Sequence, residues 1–289
     1  MTDWKDLHPE FDEGIKNVWE NQGFAKEETK TWIEKGLTPY NPNLAAYLKK
    51  EGYTPESYAQ FINKNAQEWL NHFYPINKRR EITILNIADQ GLRGELDLSE
   101  FSNLERLYCG TNNLTNLIIN NCPQLYHIDC PQNNLASLPV SNLSKLKELN
   151  CWKNKSLSNL DLSNNPLLTK LECYSCNLTT LDLSNNHLLT RLRCERNNLI
   201  NLNFLKQLNP DTLTILNMGG NKFPRSDLAV LSHLINLEEF YCWNNPFTGS
   251  LQPLQSLRKL KELSVISTQI NSGLEYLSES LERFYCNGC

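Results

Sequence analysis

Between residues 82 and 289 the apolar positions of the chain recur every 21 to 24 residues. The stretch from Leu104, L-E-R-L-Y-C-G-T-N-N-L, returns from Leu125 as L-Y-H-I-D-C-P-Q-N-N-L and from Leu146 as L-K-E-L-N-C-W-K-N. It comes back from Leu168 as L-T-K-L-E-C-Y-S-C-N-L and from Leu189 as L-T-R-L-R-C-E-R-N-N-L. Looser copies begin at Leu213, Leu237, Leu260 and Leu281 and a divergent one at Ile82, about ten copies with the last incomplete.

Within a copy, the segment around L-x-C alternates apolar and polar residues with period two. That predicts a short strand whose Leu and Cys face inward while the intervening side chains face out. One unit cannot bury its own apolar edge, so the copies must stack into a continuous core. Asn112, Asn133, Asn154, Asn197, Asn221 and Asn245 fall just past the strand, where a side-chain amide can satisfy backbone groups that have left the sheet. The rest of a short copy, such as L-T-T-L-D-L-S-N-N, reads as extended. Ser226 to Leu234 and the segment N-F-L-K-Q-L at 203–208 have helical spacing instead, so the outer side is expected to turn helical towards the C-terminal half.

The pattern L-x-x-L-x-[C/L/I/M/V]-x-x-[N/C/T]-x-L resembles the leucine-rich-repeat family over roughly residues 77–289. The resemblance implies an α/β solenoid: a horseshoe with one parallel strand per repeat lining a concave sheet. Residues 1–76 differ and are expected to form a small helical N-terminal domain, for capping or recruitment, ahead of the 77–289 solenoid. They hold Trp4, Trp19, Trp32 and Trp69, and helices over 12–22, 25–35 and 42–51 are closed by Gly23, Gly36 and Gly52. Asn41-Pro42 and Thr54-Pro55 read as caps followed by proline in the first turn. A last helix over about 55–73 would set Tyr58, Phe61, Ile62, Ala66, Trp69, Leu70 and Phe73 on one stripe, packed on the first repeat. The arrangement W-x-x-x-G-F … W-I-x-x-G-L followed by repeats resembles some fungal leucine-rich-repeat proteins, in which domains such as kinases can share the chain.

Composition narrows the chemistry. Lys and Arg number 28 against 32 Asp and Glu, a net charge of -4 that argues against a broad nucleic-acid footprint. No apolar run approaches the ~18–20 residues that cross a bilayer, and the N-terminus lacks the plan of a secretory signal. A cytoplasmic protein is therefore expected. Of the ten cysteines, Cys109, Cys130, Cys151, Cys173, Cys194, Cys242 and Cys286 share one inward column, in which Met218 and Val265 fill the two remaining copies. A column that accepts Met and Val is a packing site, not a metal or nucleophile site. The C-x-x-C pairs Cys173–Cys176 and Cys286–Cys289 lie about 25 Å apart at ~4.8 Å per repeat, too far to share a zinc ion. Cys122 reads as a loop or outer-side residue. No glycine-rich phosphate loop, histidine metal spacing or nucleophile–base arrangement occurs, so neither catalysis nor a cofactor is expected.

What remains is the outward-facing set. Tyr108, Trp152, Tyr174, Tyr241, Trp243 and Tyr285 are expected on the concave face, where they owe nothing to the core. Exposed Trp and Tyr make good anchors because they combine apolar area with a polar tip. Arg191, Arg193 and Arg196 lie between the two aromatic groups; they can pair with acidic neighbours or contact an acidic peptide. The expectation is a non-enzymatic module that binds a protein or peptide partner through these residues, with no nucleic acid and no membrane. Self-association through the incomplete last repeat is a further expectation. The alternatives are the substrate-recognition part of a larger kinase or ubiquitin ligase, and a surface adhesin or glycan binder.

Overall fold

The computed structural model describes residues 4–60 and 64–287. Five helices come first: α1 (Glu13–Asn21), α2 (Lys26–Glu34), α3 (Pro42–Lys50), α4 (Pro55–Ala59) and α5 (Ala66–Phe73). Gly23, Gly36 and Gly52 follow the first three with φ of 81°, 96° and 85°, the left-handed conformation that closes a helix at little cost to glycine. The single helix expected over 55–73 is instead two. α4 opens with a Thr54–Ser57 capping box, and α5 has its own cap in Asn65, whose side chain accepts from the amides of Gln67 and Glu68. Phe61 and Ile62 of the expected stripe lie outside the described residues. Asn41 does not cap α3 through its side chain. Its amide donates to Thr38 Oγ1 at 2.9 Å and to the carbonyl of Ala88 at 2.8 Å, joining the helices to the first repeat.

Ten strands form one parallel sheet in chain order: Ile84–Asn86, Arg106–Tyr108, His127–Asp129, Glu148–Asn150, Lys170–Glu172, Arg191–Arg193, Ile215–Asn217, Glu239–Tyr241, Glu262–Ser264 and Arg283–Tyr285. Each is three residues long, and its middle residue is the inward leucine, isoleucine or phenylalanine. The helices and the repeats share one apolar core from Phe11 to Ile270. α5 packs on Arg93–Asp97 of the first repeat, where Asp97 N–H donates to Gln67 Oε1 at 2.7 Å. Trp69, Leu70 and Phe73 are fully buried on that side.

Past each strand the asparagine column performs the corner bonding its spacing predicts. Asn154 donates to the carbonyls of Cys130 (3.0 Å) and Cys151 (2.9 Å) and accepts from Leu135 N–H (3.0 Å), tying two repeats together. Cys176 stands in this column and donates its thiol to the Cys151 carbonyl at 3.3 Å. Leu157 N–H, in the longer loop before it, bonds Asn154 O at 3.0 Å rather than a side chain of this column. A second asparagine ladder runs along the opposite turn. Asn165 donates to Val140 O and Leu143 O, and Asn186 to Leu162 O and Asn165 O.

The residue before each corner asparagine or cysteine takes a left-handed backbone: Thr111, Gln132, Lys153, Ser175, Arg196 and Asn244 have φ between 51° and 57°, with Gly220 at 62°. The two stretches expected to be helical on the outer side are single 3-10 turns, Asn203–Gln207 and Ala229–Leu231. Cys122 is buried, with its thiol donating to Leu98 O at 3.2 Å, so it belongs to the core and not to an outer surface. Cys286 is exposed although it belongs to the inward column, since no further strand of the described chain stacks over it. Cys289 lies outside the described residues.

Candidate concave binding face

The parallel register sets equivalent side chains in rows across the concave sheet, one strand spacing apart. Tyr108, Asp129, Asn150, Glu172, Arg193, Asn217, Tyr241, Ser264 and Tyr285 form one row. Trp152, Tyr174, Glu195, Gly219 and Trp243 belong to the row just past the strands. This second row is not displayed throughout, as its polar face suggests from sequence. Pro131 and Glu195 are buried, and so are Gly110 and Gly219, because each ring in the row leans onto its neighbour.

The sites expected from sequence separate into engaged and open ones. Tyr108 is half-buried, its ring centroid 5.0 Å from that of His127. Trp152 and Tyr174 stack with centroids 5.2 Å apart and planes within 6°. Lys153 caps the outer end of that stack, 4.8 Å over Trp152, and Arg193 the inner end, 4.6 Å over Tyr174. Burial, opposed by Arg193, raises the Tyr174 hydroxyl above its ordinary pKa. Arg193 donates to Glu195 Oε1 at 2.7 Å, and Arg191 Nε lies 3.1 Å from Glu172 Oε1. Both arginines are thus committed to carboxylates within the face.

Glu195 is only 3% exposed, and its second carboxylate oxygen has no hydrogen-bond partner. Burial therefore raises its pKa despite the pull of Arg193. Burial also opposes the charge on Arg193, but Glu195 and Glu172 outweigh it and hold that guanidinium above its usual value. The lateral pairing continues on the next row: Glu148 accepts from Lys170 at 2.9 Å and faces His127 at 3.2 Å, which keeps its carboxyl below the usual range.

The C-terminal aromatic group is arranged differently. Arg196 lies 5.5 Å over Trp243, whose indole rests on Gly219 and Gly220. The Tyr241 hydroxyl donates to Glu262 at 2.6 Å with Glu239 3.1 Å away, and burial followed by Glu239 pushes it up to about 12. Arg283 pairs with Glu262 on its other oxygen. Arg196, Tyr241, Trp243 and Glu262, with Ser264, Ile266 and the 42%-exposed Tyr285, line an open cleft of about 420 Å³. A second cavity of about 510 Å³ lies at the last repeats among Leu251, Val265, Ile270, Leu274 and Phe284.

Burial pushes the thiols of Cys109, Cys130, Cys173 and Cys194 well above their ordinary range, so they stay neutral packing groups at neutral pH. Among the described residues no group of three or more His, Cys, Asp or Glu side chains is placed to hold a metal ion. No helix among them is long and apolar enough to cross a membrane.

No protein-family model and no curated protein matches the sequence. Solved structures do match. The functional domain of InlJ from Listeria monocytogenes, described as including a cysteine ladder, shares 34% identity over 72% of this chain and 44% of its own, with a TM-score of 0.66. A leucine-rich-repeat protein of Leptospira interrogans shares 23% identity over 65% of this chain and 50% of its own, with a TM-score of 0.58. The Arabidopsis receptor kinase HAESA, solved with the peptide hormone IDA and the co-receptor SERK1, matches 68% of this chain and 36% of its own at 20% identity and a TM-score of 0.57. The chain thus spans half or less of each of these proteins. With its repeat, its ten-strand parallel sheet and these likenesses, the chain is a leucine-rich-repeat protein.

Proposed function

We propose that the chain is a non-enzymatic recognition module, which binds a protein or peptide on the concave face along the band from Trp152 to Tyr285. The observation that carries this reading is the open cleft of about 420 Å³, with aromatic walls and Arg196 in its lining. Trp243 is held against one wall by Gly219 and Arg196, so its ring is ordered before a partner arrives and little entropy is lost on binding. Tyr108 is spent on His127 and stands outside this band; Arg191 and Arg193 serve it by fixing Glu172 and Glu195. The solved HAESA structure, which shares the fold, holds a peptide hormone.

The test is affinity capture with the full chain and with Trp152→Ala/Trp243→Ala, followed by mass spectrometry. Partners lost from the double variant support this face; an unchanged set excludes it. Residues 1–76 are read as a cap for the first repeat, on the packing of α5 against Arg93–Asp97. A reducing, cytoplasmic setting is read from nine free cysteines among the described residues, eight of them buried. Thiol counting on denatured, unreduced protein from its native source checks this, since paired cysteines there would exclude it. Self-association through the cavity at the last repeats is the competing use of that end, and sedimentation against concentration measures it.

A further inference from the structure

Lys153 and Arg196 occupy the same left-handed corner position, two repeats apart, with φ of 57° and 54°. At ~4.8 Å per parallel strand they stand about 10 Å from each other along one edge of the concave face. Both are exposed, and both rest on an indole: Lys153 at 4.8 Å over Trp152 and Arg196 at 5.5 Å over Trp243. Their neighbours on the sheet are neutralised, Lys170 by Glu148, Arg191 by Glu172 and Arg193 by Glu195. Among the described residues, by contrast, no carboxylate oxygen lies within 4.0 Å of Lys153 or Arg196. A cation on a ring face is held in place while its N–H donors stay free at the edge. The edge therefore presents two ordered, uncompensated cations joined by the Trp152–Tyr174 stack, with the aromatic cleft beside the second.

We infer that this edge takes an extended acidic segment of a partner protein, with two carboxylates three residues apart seated on Lys153 and Arg196. A polyproline-type segment rises ~3.1 Å per residue with three residues per turn, so side chains three apart share a side at about 9 Å. An apolar side chain beyond the second carboxylate then reaches the cleft of Trp243, Ile266 and Tyr285. The carboxylates lining that cleft do not oppose this charge strongly, because Arg283 and the Tyr241 hydroxyl cover Glu262. The inference rests on the concave-face reading and adds the charge and spacing of the partner.

The experiment uses fluorescently labelled, end-capped twelve-residue proline peptides and the full chain, read by fluorescence anisotropy. One peptide carries two glutamates three residues apart, one two apart, and one two lysines three apart. The three-apart glutamate peptide is expected to bind about tenfold tighter than the lysine peptide, and Lys153→Ala and Arg196→Ala each to weaken it about tenfold. Arg196→Lys, which keeps the charge, recovers part of the loss. Preference for the lysine peptide, indifference to spacing, or wild-type binding by both alanine variants overturns the acidic segment. A phage library of random twelve-residue peptides, selected in parallel, separates the two readings. Binders that need Trp243 but show no acidic preference overturn only the present inference, whereas none that need Trp152 or Trp243 removes the concave-face reading as well. Matched thermal melts exclude misfolded variants.

Discussion

The indole of Trp243 lies against the backbone of Gly219 in the preceding repeat, so closely that a Cβ on Gly219 would stand 2.2 Å from ring atom Cε2. Gly220 continues the seat, and its own Cβ would lie 2.9 Å from Cζ3. The strand before Gly219 runs beside the strand before Trp243 in parallel register, so a flat ring can cover a neighbour only where that neighbour lacks a side chain. Gly219→Ala is therefore expected to lift Trp243 off its seat and to release Arg196. The loss should be about 1–3 kcal/mol in urea denaturation, as for other overpacked contacts, with greater quenching of tryptophan emission by iodide. Unchanged quenching would mean that the ring has no such seat.

The left-handed corners make a second prediction. Thr111 is exposed and β-branched at φ 55°, a conformation that costs an L-residue roughly 1–2 kcal/mol. Thr111→Gly removes that strain and adds unfolded-state entropy, for a net gain of about 0.5–1 kcal/mol. Gly220→Ala should move the other way, since it adds the strain and crowds Trp243. Urea midpoints of the two variants, falling on opposite sides of the parent, are the expected result.

The corner column separates amide from thiol. Asn197 donates to Cys173 O and Cys194 O and accepts from Leu178 N–H, all buried; Cys194 O keeps a second donor in Asn221, so Asn197→Ala strands two backbone groups, Cys173 O and Leu178 N–H. About 2–3 kcal/mol of stability should go with it. Cys176→Ala abandons only the thiol bonds to Cys151 O and Tyr174 O, and about 1 kcal/mol is expected. Equal losses in chemical denaturation would mean that the Asn197 acceptor contributes nothing.

Much of this was legible in the sequence. The inward Leu and Cys, the corner asparagines and the register of the ten strands follow from a repeat that every copy reports, so errors in one copy are corrected by the others. What one copy alone decides was harder to read. Glu195 has the same position as Trp152, yet it is buried because Arg193 reaches it from the strand, and no period contains that contact. Arg191 and Arg193 read as available cations for the same reason, while their pairing with Glu172 and Glu195 depends on strand spacing and rotamers. The break between α4 and α5 did leave a signal. N-A-Q-E at 65–68 has the form of an N-cap with an acid three residues on, and Asn65 does cap α5 there. The second ladder was visible too, in the S-N-N triplets ending at Asn165 and Asn186.

Glu195 sets the last prediction, because its carboxylate is buried with one oxygen unpartnered while Arg193 holds the other. Burial raises its folded pKa above the unfolded value of about 4.3, so the folded chain binds this proton more tightly than the unfolded chain does. The stability it contributes is present below the unfolded pKa and is lost as pH rises through the raised folded one. Glu195→Gln keeps the shape and an acceptor for Arg193 but removes the titration. Relative to the variant, the parent chain should therefore lose stability between about pH 4 and the top of the carboxylate range, and the gap should then stay constant to neutrality. Urea denaturation of both proteins at matched ionic strength from pH 4 to 7 measures it. If the parent instead gains on the variant over that interval, the Arg193 ion pair outweighs the burial of Glu195, and the band's charges stabilise the face they line.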